Sequence, residues 1–200
     1  MASEVSICNR ALQILGADPI TALSESNDRS RALTIAYSAI RDAELERRVW
    51  RFAIKRDSLA ALSDAPIDDF AYQYQVPNDF LRLIRGGDLV PYPNTADYRG
   101  TSDALWSREG DRILTNLSAP LSIRYIARIT DVSLFSPAFC EALSARIALE
   151  TCERITQSST KKADAKDAYK MAIREAARAN AFELAPETIG EGSWVTARLE

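Results

Sequence analysis

The chain has 200 residues, 46% of them hydrophobic and 26% charged, with a formal net charge of −3 and no histidine. That length buries a substantial core in one compact domain or two small ones, and the acidic balance argues against a protein that tracks a phosphate backbone by displacing counterions. The missing imidazole excludes Ser-His-Asp and Cys-His catalysis, His-containing zinc sites and HExxH metalloproteases.

Helical periodicity opens the sequence. In "SEVSICNRALQILG" Val5, Cys8, Leu12 and Leu15 form one stripe, with Ile7, Ala11 and Ile14 beside it. Ser3 caps the start and Gly16 the end. "ADPITALSES" reads as a loop, and a longer helix follows in "NDRSRALTIAYSAIRDAELERRV", capped by Asn27 or Asp28. There Leu33, Tyr37 and Ile40 stack, with Ala32, Ala36 and Ala43 nearby.

At Trp50 the period changes to two. Trp50, Phe52 and Ile54 alternate with Arg51, Ala53 and Lys55, which predicts a half-buried strand. Arg47, Arg48, Arg51, Lys55 and Arg56 surround these aromatics as on a nucleic-acid surface, but aromatics inside and guanidinium groups in water is the preferred reading. "DDFAYQYQVP" alternates again, with Phe70, Tyr72, Tyr74 and Val76 on one face until Pro77. "ALWSREGDRILTN" predicts a hairpin turning at Gly110-Asp111, and "LSIRYIARIT" a strand with Ile123, Tyr125, Ala127 and Ile129 inward and Arg124 and Arg128 outward.

After Pro137 the helical period returns through Phe139, Leu143, Ile147, Leu149, Cys152 and Ile155. "QSST" is a turn. A last helix, about 160–182, has an alanine-rich face of Ala165, Ala168, Tyr169, Ala172, Ile173, Ala176 and Ala179 that lets a neighbouring helix approach closely.

The expected fold is therefore α+β. A four-helix bundle, discontinuous over 1–49 and 137–183, receives a small antiparallel β domain over 50–136 with a long loop at 86–103, and an extended C-terminal arm occupies 184–200. The arm holds Trp194 behind Gly190 and Gly192, an aromatic that either returns to its own core or docks elsewhere. Deleting the arm is expected to leave a folded chain.

Chemistry-bearing motifs are sparse. Gly190-Glu191-Gly192 has no strand before it, and no P-loop occurs. Asp64, Asp68 and Asp69 match no EF-hand spacing. The three cysteines, Cys8, Cys140 and Cys152, have no metal spacing. On one helix Cys140 and Cys152 would stand about 18 Å apart, so reduced, packed thiols and synthesis in a host cytoplasm are expected. No apolar run is long enough to span a membrane, and Glu4 stands where a secretory signal would be basic. No catalytic, metal or cofactor site is expected; the enzymatic alternative is a carboxylate-dependent glycan hydrolase.

Four segments in order, "ICNRALQILGADPITAL" (7–23), "RDAELERRVWRFAIKR" (41–56), "YQYQVPNDFLRL" (72–83) and "GSWVTAR" (192–198), resemble tail tubular protein A, the head-to-tail adaptor or gatekeeper family of short-tailed bacteriophages. The resemblance implies a structural protein of the virion tail. Its partners would be further copies in a ring of twelve, the portal protein and the tail nozzle protein, with genome DNA passing non-specifically through the channel. It places Trp194, Val195 and Arg198 in contact with the portal or a neighbouring subunit. A head-completion connector of a long-tailed phage is the related alternative.

Overall fold

The computed structural model describes residues 2–67, 69–86 and 106–183. Helix α1 (Glu4–Leu15) starts at a capping box, in which Ser3 accepts from the Ser6 N–H and Ser6 Oγ accepts from the Ser3 N–H. It ends at Gly16, whose φ of 64° is left-handed backbone that costs glycine nothing. Asn9 then fixes the following loop by accepting from the Ile20 N–H and donating to its carbonyl, both at 2.9 Å.

Helix α2 (Asp28–Arg47) is capped by Asn27 rather than Asp28. It buries Leu33 and Tyr37 as the period predicts, but also Arg41 and Glu44, while Ala43 is exposed. The predicted strand at Trp50 is corrected. Arg51–Ala53 is a 3-10 turn, and the strand β1 runs over Ile54–Leu59. The apparent alternation of Trp50 and Phe52 arises because both rings turn into one aromatic cluster. Phe139 lies 4.9 Å from Trp50, 5.0 Å from Phe52 and 5.0 Å from Phe135, at edge-to-face angles worth about 0.5–1.5 kcal/mol per pair beyond area burial. Trp50 Nε1 donates to the Glu44 carbonyl at the end of α2.

Between α2 and the third helix lie two three-stranded sheets rather than one β unit. The first has the order β1-β6-β3, with β3 over Phe80–Gly86 and β6 over Leu121–Ala127. The second has the order β2-β5-β4, from Tyr72–Gln75, Arg112–Thr115 and Trp106–Glu109. All pairings are antiparallel. The hairpin of β4 and β5 turns at Gly110-Asp111 as expected, with φ 61° at Gly110, a value that favours glycine at the first position of a two-residue turn. In β2 the expected single face fails. Tyr74 is fully buried and Tyr72 is not, while Gln73 is buried on the opposite face, held by its side-chain bonds to Asp64 and Arg112. Strand β3 went unpredicted because "FLRLIRG" does not alternate and its pairing with β6 shifts register twice.

Helix α3 (Pro137–Thr156) starts behind the Ser136 cap with proline in its first turn, and α4 (Ser159–Phe182) follows a turn whose Gln157 is left-handed. Helix α3 packs on α1, α2 and α4, and α2 reaches β3 and β6. One contiguous set of buried side chains runs from Ile7 through both sheets to Ala176. The architecture is mixed helix and sheet, with two helices before the strands and two after. Residues 87–103 of the expected loop and the whole arm, including Trp194, Val195 and Arg198, lie outside the described residues.

Candidate assembly surfaces

In the basic cluster that surrounds Trp50, Arg47 and Lys55 are held in structural contacts, while the Arg51 Nε is buried without a partner. Arg47 reaches back to α4, where its Nη1 donates to Tyr169 Oη at 2.7 Å, and Lys55 pairs with Asp79 at 2.5 Å. The backbone at the α2–β1 junction is tied to α4 by Asn180, which accepts from the Arg51 N–H and donates to the Val49 carbonyl, both at 2.8 Å.

Glu44 is the centre of a buried charge cluster. Its Oε1 accepts from Tyr169 Oη at 2.8 Å, with Arg47 at 3.5 Å and Arg146 at 3.7 Å, and its Oε2 has no hydrogen-bond partner. Burial, with the hydrogen bond and charge of Glu44 behind it, pushes the Tyr169 hydroxyl up to about 12. A carboxylate at this depth is tolerated because two guanidinium groups face it. It joins α2, α3 and α4.

Two surfaces remain open. The first is a groove of about 530 Å³ where α1, α3 and α4 meet. Ile14, Ala138, Ala145, Ala168 and Ala172 line it, and the Arg10–Glu141 ion pair at 3.0 Å stands among its lining residues. Met171 on its α4 wall is 71% exposed, and Phe182 at the end of that helix is 89% exposed. The alanine face that the period predicts on α4 is thus divided. Ala165 and Ala176 are buried, Ala168 and Ala172 line the groove, and Ala179 is exposed.

The second is electrostatic. In the β1-β6-β3 sheet the register sets Arg56 opposite Arg124 and Arg124 opposite position 85, also arginine, while Arg82 stands in the adjacent row opposite Ile126. Among the described residues the side chains of Arg56, Arg82 and Arg124 form no ion pair or hydrogen bond, and the Nε atoms of Arg82 and Arg124 are buried. On α2, Asp42 is paired with Arg41 and Arg128, each at 2.8 Å, and Asp57, next to Arg56 on β1, falls on the other face of the strand. A cleft of about 530 Å³ beside β4 and β5 has the opposite character, lined by Asp64, Asp69, Glu109 and Asp111 against the single Arg112. Hydrogen bonding from Gln75 holds the Asp111 carboxyl below its usual range. Ile67, also on this cleft, is fully exposed.

Among the described residues no three His, Cys, Asp or Glu side chains converge to hold a metal ion, and no helix is long and apolar enough to cross a membrane. All three cysteines are free thiols, Cys8 and Cys152 buried and Cys140 half-buried. Sequence periodicity placed Arg124 outward but did not show its arginine neighbours, because cross-strand register is a non-local property. No known protein family and no characterised protein matches the chain.

Proposed function

We propose that the chain is a structural protein of a phage virion: a head-to-tail adaptor that forms a ring of twelve copies between portal and tail nozzle, through which genome DNA passes. In this reading α1 to α4 act as one four-helix bundle, the strands between α2 and α3 form the inserted β domain, and 184–200 is an arm that engages the portal or a neighbouring copy. The observation that carries it is the open apolar groove between α1, α3 and α4, on the wall of the helix that leads into the arm. Small side chains on the floor of such a groove let another chain's backbone or a flat aromatic approach closely, so it suits an occupant like Trp194 and Val195 of a neighbouring arm.

The energetics favour repetition. Burying one tryptophan-sized side chain supplies about 2–3 kcal/mol, too little to join two proteins against the cost of association. Around a closed ring each further contact is intramolecular, and avidity multiplies a weak arm into durable assembly. A channel for DNA must not grip its cargo, and the nearly even totals of 25 basic and 28 acidic residues fit that requirement.

Negative-stain imaging of the protein mixed with portal rings is the test. Rings seated on the portal are expected with the full chain and not with a chain ending at residue 183. Full portal binding by the truncated chain would remove the arm from the reading, and no binding by either would remove the reading itself.

A further inference from the structure

We propose that the arginine row on the β1-β6-β3 sheet of one copy docks against the acidic cleft beside β4 and β5 of a second copy. The inference rests on the ring reading above and names the surfaces that would join its neighbours.

Like charges directly opposite each other destabilise a sheet, and here Arg56 and Arg124 face each other on adjacent strands. Arg82, diagonal to Arg124, adds a third. The Nε atoms of Arg82 and Arg124 are buried, but their Nη groups are neither buried nor bonded within the chain, so these are the donors open to an outside anion. Such a row calls for an anion with several acceptor oxygens. Among the described residues the chain itself provides none, since the side chains of Arg56, Arg82 and Arg124 have neither an ion pair nor a hydrogen bond.

The chain carries a matching surface. The cleft sets four carboxylates against one arginine, and the Glu109 side chain forms no ion pair or hydrogen bond among the described residues. Guanidinium forks bind carboxylates through paired, charge-assisted hydrogen bonds. Ile67 then chooses between classes of partner. A fully exposed isoleucine beside the carboxylates finds burial against a protein surface, and the half-buried Ile54 lies one row from Arg56 on the arginine face. A phosphate backbone offers neither that apolar contact nor any reason for an acidic counterpart. Because the two patches are different parts of one chain, the contact is head-to-tail, the kind that closes into a ring when the rotation allows.

The experiment is sedimentation velocity on the full chain across concentration and salt, with two charge-reversed variants, Arg56→Glu/Arg124→Glu and Asp64→Lys/Glu109→Lys. Wild-type chain is expected to self-associate and to dissociate as salt rises. Each variant alone should associate at least ~10-fold more weakly, and an equimolar mixture of the two should recover assembly, since each supplies the charge that the other lacks. Arg56 and Glu109 are exposed, so the single substitutions Arg56→Glu and Glu109→Lys repeat the test if a double variant does not fold. Rings that form equally well with either variant, or a mixture that stays monomeric, would overturn the inference and leave the ring reading standing. Wild-type chain that stays monomeric at every concentration would also overturn the inference, while the ring reading stands or falls by the portal imaging described above. Arginine-dependent binding of duplex DNA, without self-association, would assign the row to nucleic acid instead.

Discussion

Two buried tyrosines on the helices differ in one respect, which allows the hydroxyl to be weighed separately from the ring. Tyr169 Oη accepts from Arg47 and donates to Glu44 Oε1, whereas Tyr37 Oη is buried without a hydrogen-bond partner. Both rings lie near arginines, Arg146 at 5.3 Å from Tyr169 and Arg41 at 6.0 Å from Tyr37, and phenylalanine preserves those contacts. Tyr169→Phe therefore removes only the oxygen. It leaves Glu44 Oε1 with arginines at 3.5 and 3.7 Å, while Oε2 is already without a partner. A lost hydrogen bond to a buried charge costs about 1.5–3 kcal/mol, so about 2 kcal/mol is expected. For a chain of this size that lowers Tm by about 4–8 °C. Tyr37→Phe removes an unsatisfied group and should leave stability unchanged within about 0.5 kcal/mol or raise it slightly. The assay is urea denaturation followed by circular dichroism, with thermal melts beside it. Equal losses in the two variants, or a Tyr169→Phe variant as stable as wild type, would refute the account of the Glu44 cluster.

Alkaline pH should weaken the fold. Burial raises the hydroxyls of Tyr37, Tyr74, Tyr125 and Tyr169, the last from near 10 to about 12. A folded value above the unfolded one gives stability that is complete below pH 10 and is lost as pH climbs through about 12, as melts over that range would show. Asn180→Ala strands the Arg51 N–H and the Val49 carbonyl and should cost about 1–3 kcal/mol by denaturant titration; Asn180→Asp should also destabilise, since its carboxylate would face that carbonyl. The thiols should resist alkylation in the native state and react fully in denaturant, because burial pushes Cys8 up to about 12 and raises Cys140 as well; rapid native labelling would refute this.

The helices were legible because a period of 3.6 and the caps at Ser3, Gly16 and Asn27 are local signals. The hairpin at Gly110 was legible for the same reason. Trp50 misled because Trp50 and Ala53 are the fully buried pair, the three-residue spacing of a 3-10 turn, and the half-buried Phe52 mimics alternation only by turning toward Phe135 and Phe139, distant in sequence. Strand β3 hid behind its two register shifts. Arg41 and Glu44 were not predicted inside, since a charge is buried only with a partner, and Arg146 and Tyr169 sit about a hundred residues downstream of Glu44. The two surfaces proposed to dock share that difficulty. An arginine row and an acidic cleft each come from strands and loops scattered along the chain, so neither leaves a motif to read. The arm residues Trp194, Val195 and Arg198 stand outside the described residues.

The aromatic cluster has one consequence for engineering. Phe52 follows the end of α2, while Phe135 and Phe139 mark where the chain returns to helix, and all three rings touch. The doorway out to the strands and the doorway back are thus one threshold. Everything between them is a cassette whose two splice points nearly coincide. A different module with adjacent termini could be grafted there without stretching the scaffold, and a short bridge across the gap would be the natural way to ask whether the helices stand by themselves.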